Sequence, residues 1–388
     1  MANRSLCVYL HGRYWWTVLL PICVASGLYL FVLHHYQSLS YRDPTSFFFD
    51  HSRAYERHYS TRRITESQNF LSASSDAPTP RRLPWEDPIL CVGIVTVRRR
   101  EDQYVGLTLA SLLDGLNQSE RNNIYINLFF ADTDPLQHPA FAEKWAETLP
   151  DRLLTYSRDH PEFTKLQAWE RDGYYQNKSV NDYKHLMNAC YETGAKYIAM
   201  IEDDTLAVKG WLGPTLQALN VVEQRTSGHE WIYLRLFYTE SLLGWNSEEW
   251  PQYLFWSFVV WASSTAAMIA ARKWLKAPNL LASSIVWTTM WPIPSGVHVM
   301  NKYGCCSQGL IFPHFIIRRV LDLVNSAEDL FVDMMLENIA DSEGLSRFAV
   351  VPSILQHIGA TSSKGYGFDF SATSLWNFRF EEYSPSGI

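Results

Sequence analysis

Basic residues are in short supply in this 388-residue chain: 33 lysines and arginines stand against 40 aspartates and glutamates, for a net charge of −7. No basic face is evident to meet phosphates, which argues against nucleic acid as a partner. Cysteine is sparse too. Of the six, Cys7 and Cys23 lie at or inside an N-terminal apolar run, leaving Cys91, Cys190, Cys305 and Cys306 for the rest. No CxxC pair and no His/Cys ligand spacing occurs, which removes the usual zinc-site patterns. Cys305-Cys306 could contribute to disulfides in an oxidising compartment. Internal repeats are absent. Acidic residues are missing altogether before Asp43.

What is present begins with aromatics: 15 Trp, 21 Tyr and 20 Phe, a surplus that suits membrane-interface belts or carbohydrate contacts. Residues 14–33 form an uncharged, mostly apolar run preceded by Arg4 and Arg13. That length crosses a bilayer, and no clean small-x-small cleavage site follows, so an uncleaved signal anchor is expected. Residues 34–88 are polar, rich in Arg, Ser, Tyr and Pro, and read as a stem holding a catalytic domain off the membrane. Further on, 253–271 and 280–300 are two uncharged stretches separated by Arg272, Lys273 and Lys276. Buried core elements would explain them. A transmembrane hairpin with a basic cytosolic turn explains them better, and its even number of crossings returns the chain to its starting side.

Between these runs the pattern alternates strand and helix. Strands are expected over 89–97, 124–131 and 153–156, and helices over 104–116, 139–149 and 181–193. A strand Tyr197-Ile198-Ala199-Met200-Ile201 follows. After the hairpin come a strand at 309–313, a helix at 327–341 and a strand at 347–351. Such alternation predicts an α/β fold with a mostly parallel sheet covered by helices, whose ligands bind beyond the carboxyl ends of the strands.

At one such end stand three carboxylates in a row, Glu202-Asp203-Asp204. Hard oxygen ligands concentrated at a strand tip suit a divalent cation that carries a diphosphate. Glu202 and Asp204 are therefore candidate metal ligands, with His357 in Gln356-His357-Ile358-Gly359 as the further ligand; the cation would be Mn2+ or Mg2+. The first strand ends in Thr96-Val97-Arg98-Arg99-Arg100. Thr96, Arg98, Arg99, Asp132, Lys184, Glu202 and Asp203 are candidate donor contacts. Asp329 and then Asp333 are candidate catalytic bases at the start of the 327–341 helix, although helix capping alone would explain an acid there. Trp231-Ile232-Tyr233-Leu234-Arg235-Leu236-Phe237-Tyr238 offers aromatic faces for sugar stacking, or simply core. Asn117-Gln118-Ser119 and Asn177-Lys178-Ser179 are glycosylation sequons.

The order of short motifs is the specific part. YIAMIEDDT, then LRLFYTESLLGW, a hydrophobic hairpin, GCCSQGLIFP and ILQHIG follow one another. Over roughly residues 89–365 the chain resembles the Golgi GPI-glycan N-acetylgalactosamine transferase family, post-GPI attachment to proteins factor four. It is also distantly similar to the N-glycan branching GlcNAc-transferases, which carry an EDD-type motif. The resemblance implies a GT-A fold split by a transmembrane hairpin, in a Golgi membrane protein with its catalytic domain lumenal (or in the endoplasmic reticulum). The expected layout is a cytosolic tail at 1–13, an anchor at 14–33, a stem at 34–88, catalytic domain over 89–252 and 301–388, and the hairpin at 253–300. It further implies inverting transfer of GalNAc from UDP-GalNAc to a mannose of the GPI core, on a GPI glycolipid or a GPI-anchored protein. On the matching positions Glu202, Asp203 and Asp204 carry the donor-metal role, and Glu328-Asp329 the acceptor base. GlcNAc transfer to N-glycans, or a membrane protein that keeps the domain without turnover, are the other readings.

Overall fold

The computed structural model describes residues 23, 26–44, 46–74, 87–227, 231–239, 251, 254–259, 261–263, 265–266, 295–300, 306–326, 330–359 and 376–383. The chain forms two compact units, residues 1–56 and 57–388. The first holds a helical run over 26–40 and the short helix His51–Ala54. Among the described residues no helix is long and apolar enough to cross a membrane. The anchor expected at 14–33 lies largely outside the described residues, as do the hairpin's turn and most of its second arm.

The second unit is built on an eight-stranded sheet. Its strands are β1 Leu90–Thr96, β2 Ile124–Phe130, β3 Arg152–Thr155, β4 Tyr197–Glu202, β6 Trp231–Arg235, β7 Gly296–Val299, β8 Gly309–Pro313 and β9 Ser346–Val351. They lie in the order β3-β2-β1-β4-β8-β6-β9-β7. β3, β2, β1 and β4 run parallel, β8 runs against both β4 and β6, and β6 and β9 are parallel. Two short strands, β5 Thr205–Ala207 and β10 Leu355–His357, form a separate antiparallel ribbon that pairs Thr205 with His357.

The helices used below are α1 Tyr59–Ser74, α2 Val105–Leu113, α3 Phe163–Asp172, α4 Tyr175–Tyr191, α5 Leu212–Thr226, α6 Ile317–Ser326 and α7 Val332–Glu343. Strand alternation sends successive residues to opposite faces. Leu90, Val92 and Ile94, with Tyr197, Ala199 and Ile201, pack in the layer of α2 and α5. Cys91, Ile198 and Met200 pack in the layer of α3, α4, α6 and α7. Both faces are therefore apolar, as a mostly parallel sheet between helical layers requires. In the second layer Cys91 and Cys190 form a disulfide that ties β1 to α4; Cys306 is also disulfide-bonded.

Several boundaries move from the sequence expectation. The second apolar stretch cannot reach residue 300 as a membrane segment, because Gly296–Val299 pairs antiparallel with β9 at the sheet edge. The helix expected from 327 starts at Val332, so the acid in its first turn is Asp333; Glu328 and Asp329 lie outside the described residues. α4 begins six residues before the expected 181. The segment 139–149 is a 3-10 turn followed by the short helix Lys144–Thr148. Part of the expected stem also belongs to the catalytic unit: α1 packs against the sheet's first layer through Tyr59, Ile64, Phe70 and Leu71.

Candidate active site at the carboxyl edge of the sheet

β1 is flanked by β2 on one side and β4 on the other, so the chain changes direction across the sheet at β1/β4. A crevice opens at such a switch point, outside the carboxyl ends of the strands. The register sets Val95 beside Glu202, and Thr96 therefore sits next to the turn that follows β4. The expected acidic triplet stands at this carboxyl edge, with Asp203 and Asp204 buried and Glu202 half-buried.

The three acids have different partners. Asp203 has both oxygens engaged: its Oδ1 accepts from Arg99 Nη2 at 2.5 Å and its Oδ2 from the Thr96 hydroxyl at 2.6 Å. Asp204 Oδ2 accepts from Arg99 Nη2 at 3.1 Å and lies 3.4 Å from His357 Nε2, while Asp204 Oδ1 is buried without a partner. Glu202 Oε1 accepts from the Ser307 hydroxyl at 2.5 Å. Thr96 and Arg99, expected as donor contacts, are thus engaged in holding the acids. Arg99 is itself buried; removing one partner of such a group leaves an uncompensated charge worth about 3–5 kcal/mol.

Electrostatics separate the acids further. Burial pushes Glu202 up to about 7, and the neighbouring Asp204 charge adds to it. Burial also pushes Asp203 up, partly offset by Arg99. Burial opposes ionisation of Asp204 as well, but His357 and Arg99 outweigh it and hold that carboxyl below the usual range. For His357, burial favours the neutral ring, yet Asp204 prevails and raises its affinity for a proton.

A supporting frame holds this arrangement. The Thr108 hydroxyl of α2 lies 2.6 and 2.8 Å from the carbonyls of Asp203 and Thr205, sharing its one proton between them, and accepts the Thr205 N–H at 3.2 Å, pinning the turn after β4. His138 Nδ1 accepts the Ala140 N–H at 3.2 Å, which assigns the proton to Nε2, 3.1 Å from Thr96 Oγ1. Burial, with Arg99 and Arg98 nearby, lowers His138 to about 4, so it is a neutral donor to Thr96. The Ile358 N–H donates to the Asp204 carbonyl at 2.9 Å. Gly359 comes so close that a Cβ there would meet Asp204 Oδ2 at 2.2 Å. Only glycine allows the chain after β10 to lie against this carboxylate.

The other expected residues have varied surroundings. Asp132, just past β2, accepts the Arg98 N–H at 3.0 and 3.3 Å, and burial together with Glu170 raises it to about 6. The Arg98 side chain is exposed at the end of β1. Lys184 is half-buried on α4 and forms no ion pair among the described residues. Asp333 is half-buried, with Oδ1 accepting its neighbour's N–H at 2.9 Å. Because α7 leads into the start of β9, which runs parallel to β6, its first turn lies at the same carboxyl edge as the triplet. Asp329 lies outside the described residues. The aromatic run does not form a sugar platform over 231–238: Trp231, Tyr233 and Phe237 are fully buried core.

A sequence model described as "GPI-N-acetylgalactosamine transferase PGAP4" matches residues 90–293, just over half of the chain. The chain belongs to this PGAP4 family. The matched span runs from the first residue of β1 through the acidic triplet and β6 into the apolar insertion. Membership makes the chain one of a glycosyltransferase family associated with the GPI glycan. No curated protein matches the chain.

Sequence reasoning missed His138, Thr108, Ser307 and Gly359 as parts of the site. Only Ser307 and Gly359 left a signal, being inside the quoted GCCSQGLIFP and ILQHIG motifs. Thr108 and His138 sit in unremarkable helical and loop contexts and are recruited by the packing of the turn after β4.

Proposed function

We propose that this chain transfers N-acetylgalactosamine from UDP-GalNAc, with inversion, to a mannose of the GPI-anchor glycan, with Mn2+ or Mg2+ at the donor diphosphate. The observation that carries the reading is Asp204 Oδ1: a buried oxygen without a partner, on a carboxyl held ionised, at the switch-point crevice. Among the described residues no three His, Cys, Asp or Glu side chains converge as a cation cage. One carboxylate with the remaining ligands from substrate phosphates is how small hard cations are commonly held beside nucleotides, and that donor set fits Asp204 with His357 alongside. Such an ion, when bound, supplies charge neutralisation for the leaving diphosphate.

The protein's residues then divide the work. Asp204 offers Oδ1, and Arg99 with Thr96 holds Asp203 so that the turn does not relax. Arg98, exposed at the end of β1, reaches toward a phosphate. Asp132, at the end of β2, faces the uracil or ribose with the acceptor lone pairs that its Arg98 bonds leave open. Glu202, steadied by Ser307, lines the same crevice. Asp333, in the first turn of α7, or Asp329, earlier in the chain, takes the proton from the acceptor hydroxyl, which needs a carboxylate within hydrogen-bond reach.

The reading extends to the membrane. A lipid-linked acceptor stays close to a bilayer, and 14–33 and the insertion within 253–295 are the segments that would hold the enzyme there. Leu254, Phe255, Trp256, Phe258 and Trp261 are exposed on helical backbone at the start of that insertion, an apolar surface of the kind that marks an interaction site. The Cys91–Cys190 disulfide suits a lumenal, oxidising compartment such as the Golgi.

The test is replacement of Asp204 by Asn in cells that lack the native chain, followed by mass spectrometry of GPI glycans. Wild type is expected to restore an N-acetylhexosamine side branch and D204N to leave it absent. Branching restored by D204N would overturn the role of Asp204. A changed N-glycan profile with unaltered GPI glycans would overturn the acceptor.

A further inference from the structure

The ribbon of β5 and β10 presents Thr205 and His357 to the acidic turn, yet it has only three residue pairs of its own. So short a ribbon is marginal unless other elements hold it. Gln356, beside His357, is fully buried and points to the opposite face. Its Oε1 accepts the Asn377 N–H at 2.9 Å, and its Nε2 donates to the Asn377 carbonyl at 2.9 Å and to Glu381 Oε1 at 3.4 Å. Asn377 is fixed in turn, donating through Nδ2 to the Tyr238 carbonyl at 3.1 Å and the Ser353 hydroxyl at 3.0 Å.

Glu381 carries the connection to the start of the unit. Its Oε2 accepts the His58 and Ser60 N–H groups at 2.7 and 3.2 Å, and its Oε1 accepts the Ser60 hydroxyl. These N–H groups belong to the opening of α1, where helix geometry leaves donors unsatisfied and favours a carboxylate. The cap comes from a residue more than 300 positions away. α1 also grips the partner strand: Arg63, fully buried, donates through Nε to the Ala207 carbonyl of β5 at 3.0 Å. It further reaches the Ser111 carbonyl at 2.9 Å and Asp114 at 2.6 Å. The Tyr59 hydroxyl accepts the Lys209 N–H at 3.0 Å.

We propose that Gln356 and Glu381 form a clasp, closed by the first turn of α1, that positions His357 against Asp204. Gln356 and Glu381 are positioning residues for the donor end of the site, and α1 belongs to the catalytic machinery rather than to a spacer. The proposal rests on the reading of Asp204 and His357 as the donor-diphosphate site. β5 is held directly by Arg63 and β10 through Glu381 and Gln356, so both strands take their place from one helix.

The test uses the full-length enzyme and reads UDP affinity with Mn2+ by calorimetry, alongside the thermal midpoint. Gln356→Met keeps the volume and removes the clasp bonds; a rise in the UDP dissociation constant of about tenfold is expected, the scale seen when outer-shell partners of a metal site are lost. Glu381→Gln is expected to move it in the same direction and carries the test if the first variant does not fold. Arg121→Met removes a buried ion pair with Asp151 at the far end of β2 and serves as the control: a lowered midpoint with unchanged UDP affinity. Unchanged affinity in the clasp variants, or an equal rise in the control, overturns the clasp. D204N separates the two ideas. If it binds UDP like wild type, the donor-site reading fails; if it loses UDP while the clasp variants keep it, the clasp alone fails.

Discussion

At the scale of single residues, the site depends on unequal treatment of three like carboxylates. Asp203 engages both oxygens with Arg99 and Thr96, Glu202 is lifted by burial, and Asp204 is held in its ionised form with one buried oxygen unpartnered. The position of the triplet at the carboxyl end of a sheet strand was legible in the sequence, because an apolar run between alternating elements ends directly on the three acids. The sequence favoured Asp204 only by its place furthest past the strand; that its Oδ1 keeps no partner depends on Arg99 turning inward rather than toward solvent. His138 is the residue whose titration can be followed. Its folded value lies near 4, below the ordinary 6.5. Between those values the unfolded chain binds more protons than the folded one, so stability rises with pH over the interval and drains away as pH falls from 6.5 to about 4. The thermal midpoint of His138→Gln should therefore fall less steeply than that of wild type across this window. Parallel curves would show that His138 is not held neutral by its burial beside Thr96.

At the scale of elements, the cores of the strands followed from composition alone. ILCVGIVTV, YINLFF and YIAMI are apolar on both faces, which only a sheet covered on both sides accommodates. The ends were harder. The helix expected from 327 begins at Val332, and the apolar stretch to 300 gives its last residues to β7, where four residues complete the sheet edge. In the second case strand pairing overrode a hydropathy boundary. The disulfide between β1 and α4 is the element-scale link that the sequence could not assign. It closes a loop of about 99 residues, and removing a bridge of that kind costs about 2–5 kcal/mol. A Cys91→Ala/Cys190→Ala double variant is expected to lower the urea midpoint accordingly with the slope little changed. A midpoint equal to wild type would mean that helix packing alone secures α4.

At the scale of the whole molecule, the catalytic unit starts at Arg57 and not at the first strand. Polar composition made 34–88 look like a uniform stem, yet Arg63 and Ser67 in its second half are buried. Arg63 is satisfied by two carbonyls and two carboxylates, so a charge that reads as solvated in one dimension is an internal tie in three. A chain begun at residue 89 loses this helix, whose Leu71 lies against Gly106 of α2, and with it the tie from Arg63 to the Ala207 carbonyl. Cooperative unfolding is expected for a chain begun at residue 57 and an aggregated or non-cooperative product for one begun at residue 89, read by differential scanning calorimetry. Equal transitions would relegate α1 to the stem.

The sequence by itself determined the α/β alternation, the strand that bears Glu202-Asp203-Asp204, and the order of motifs by which the family is recognised. These are local properties: hydrophobic period, strand length, and residue types that have little reason to occur together otherwise. Only the tertiary structure decided that Arg99 neutralises two of the acids, that Gly359 must be small to pass Asp204, and that the stem helix and the C-terminal segment meet across the β5/β10 ribbon. Those depend on contacts between residues far apart in the chain, whose geometry is set by how the layers close around the sheet and leaves no periodic trace in the order of residues.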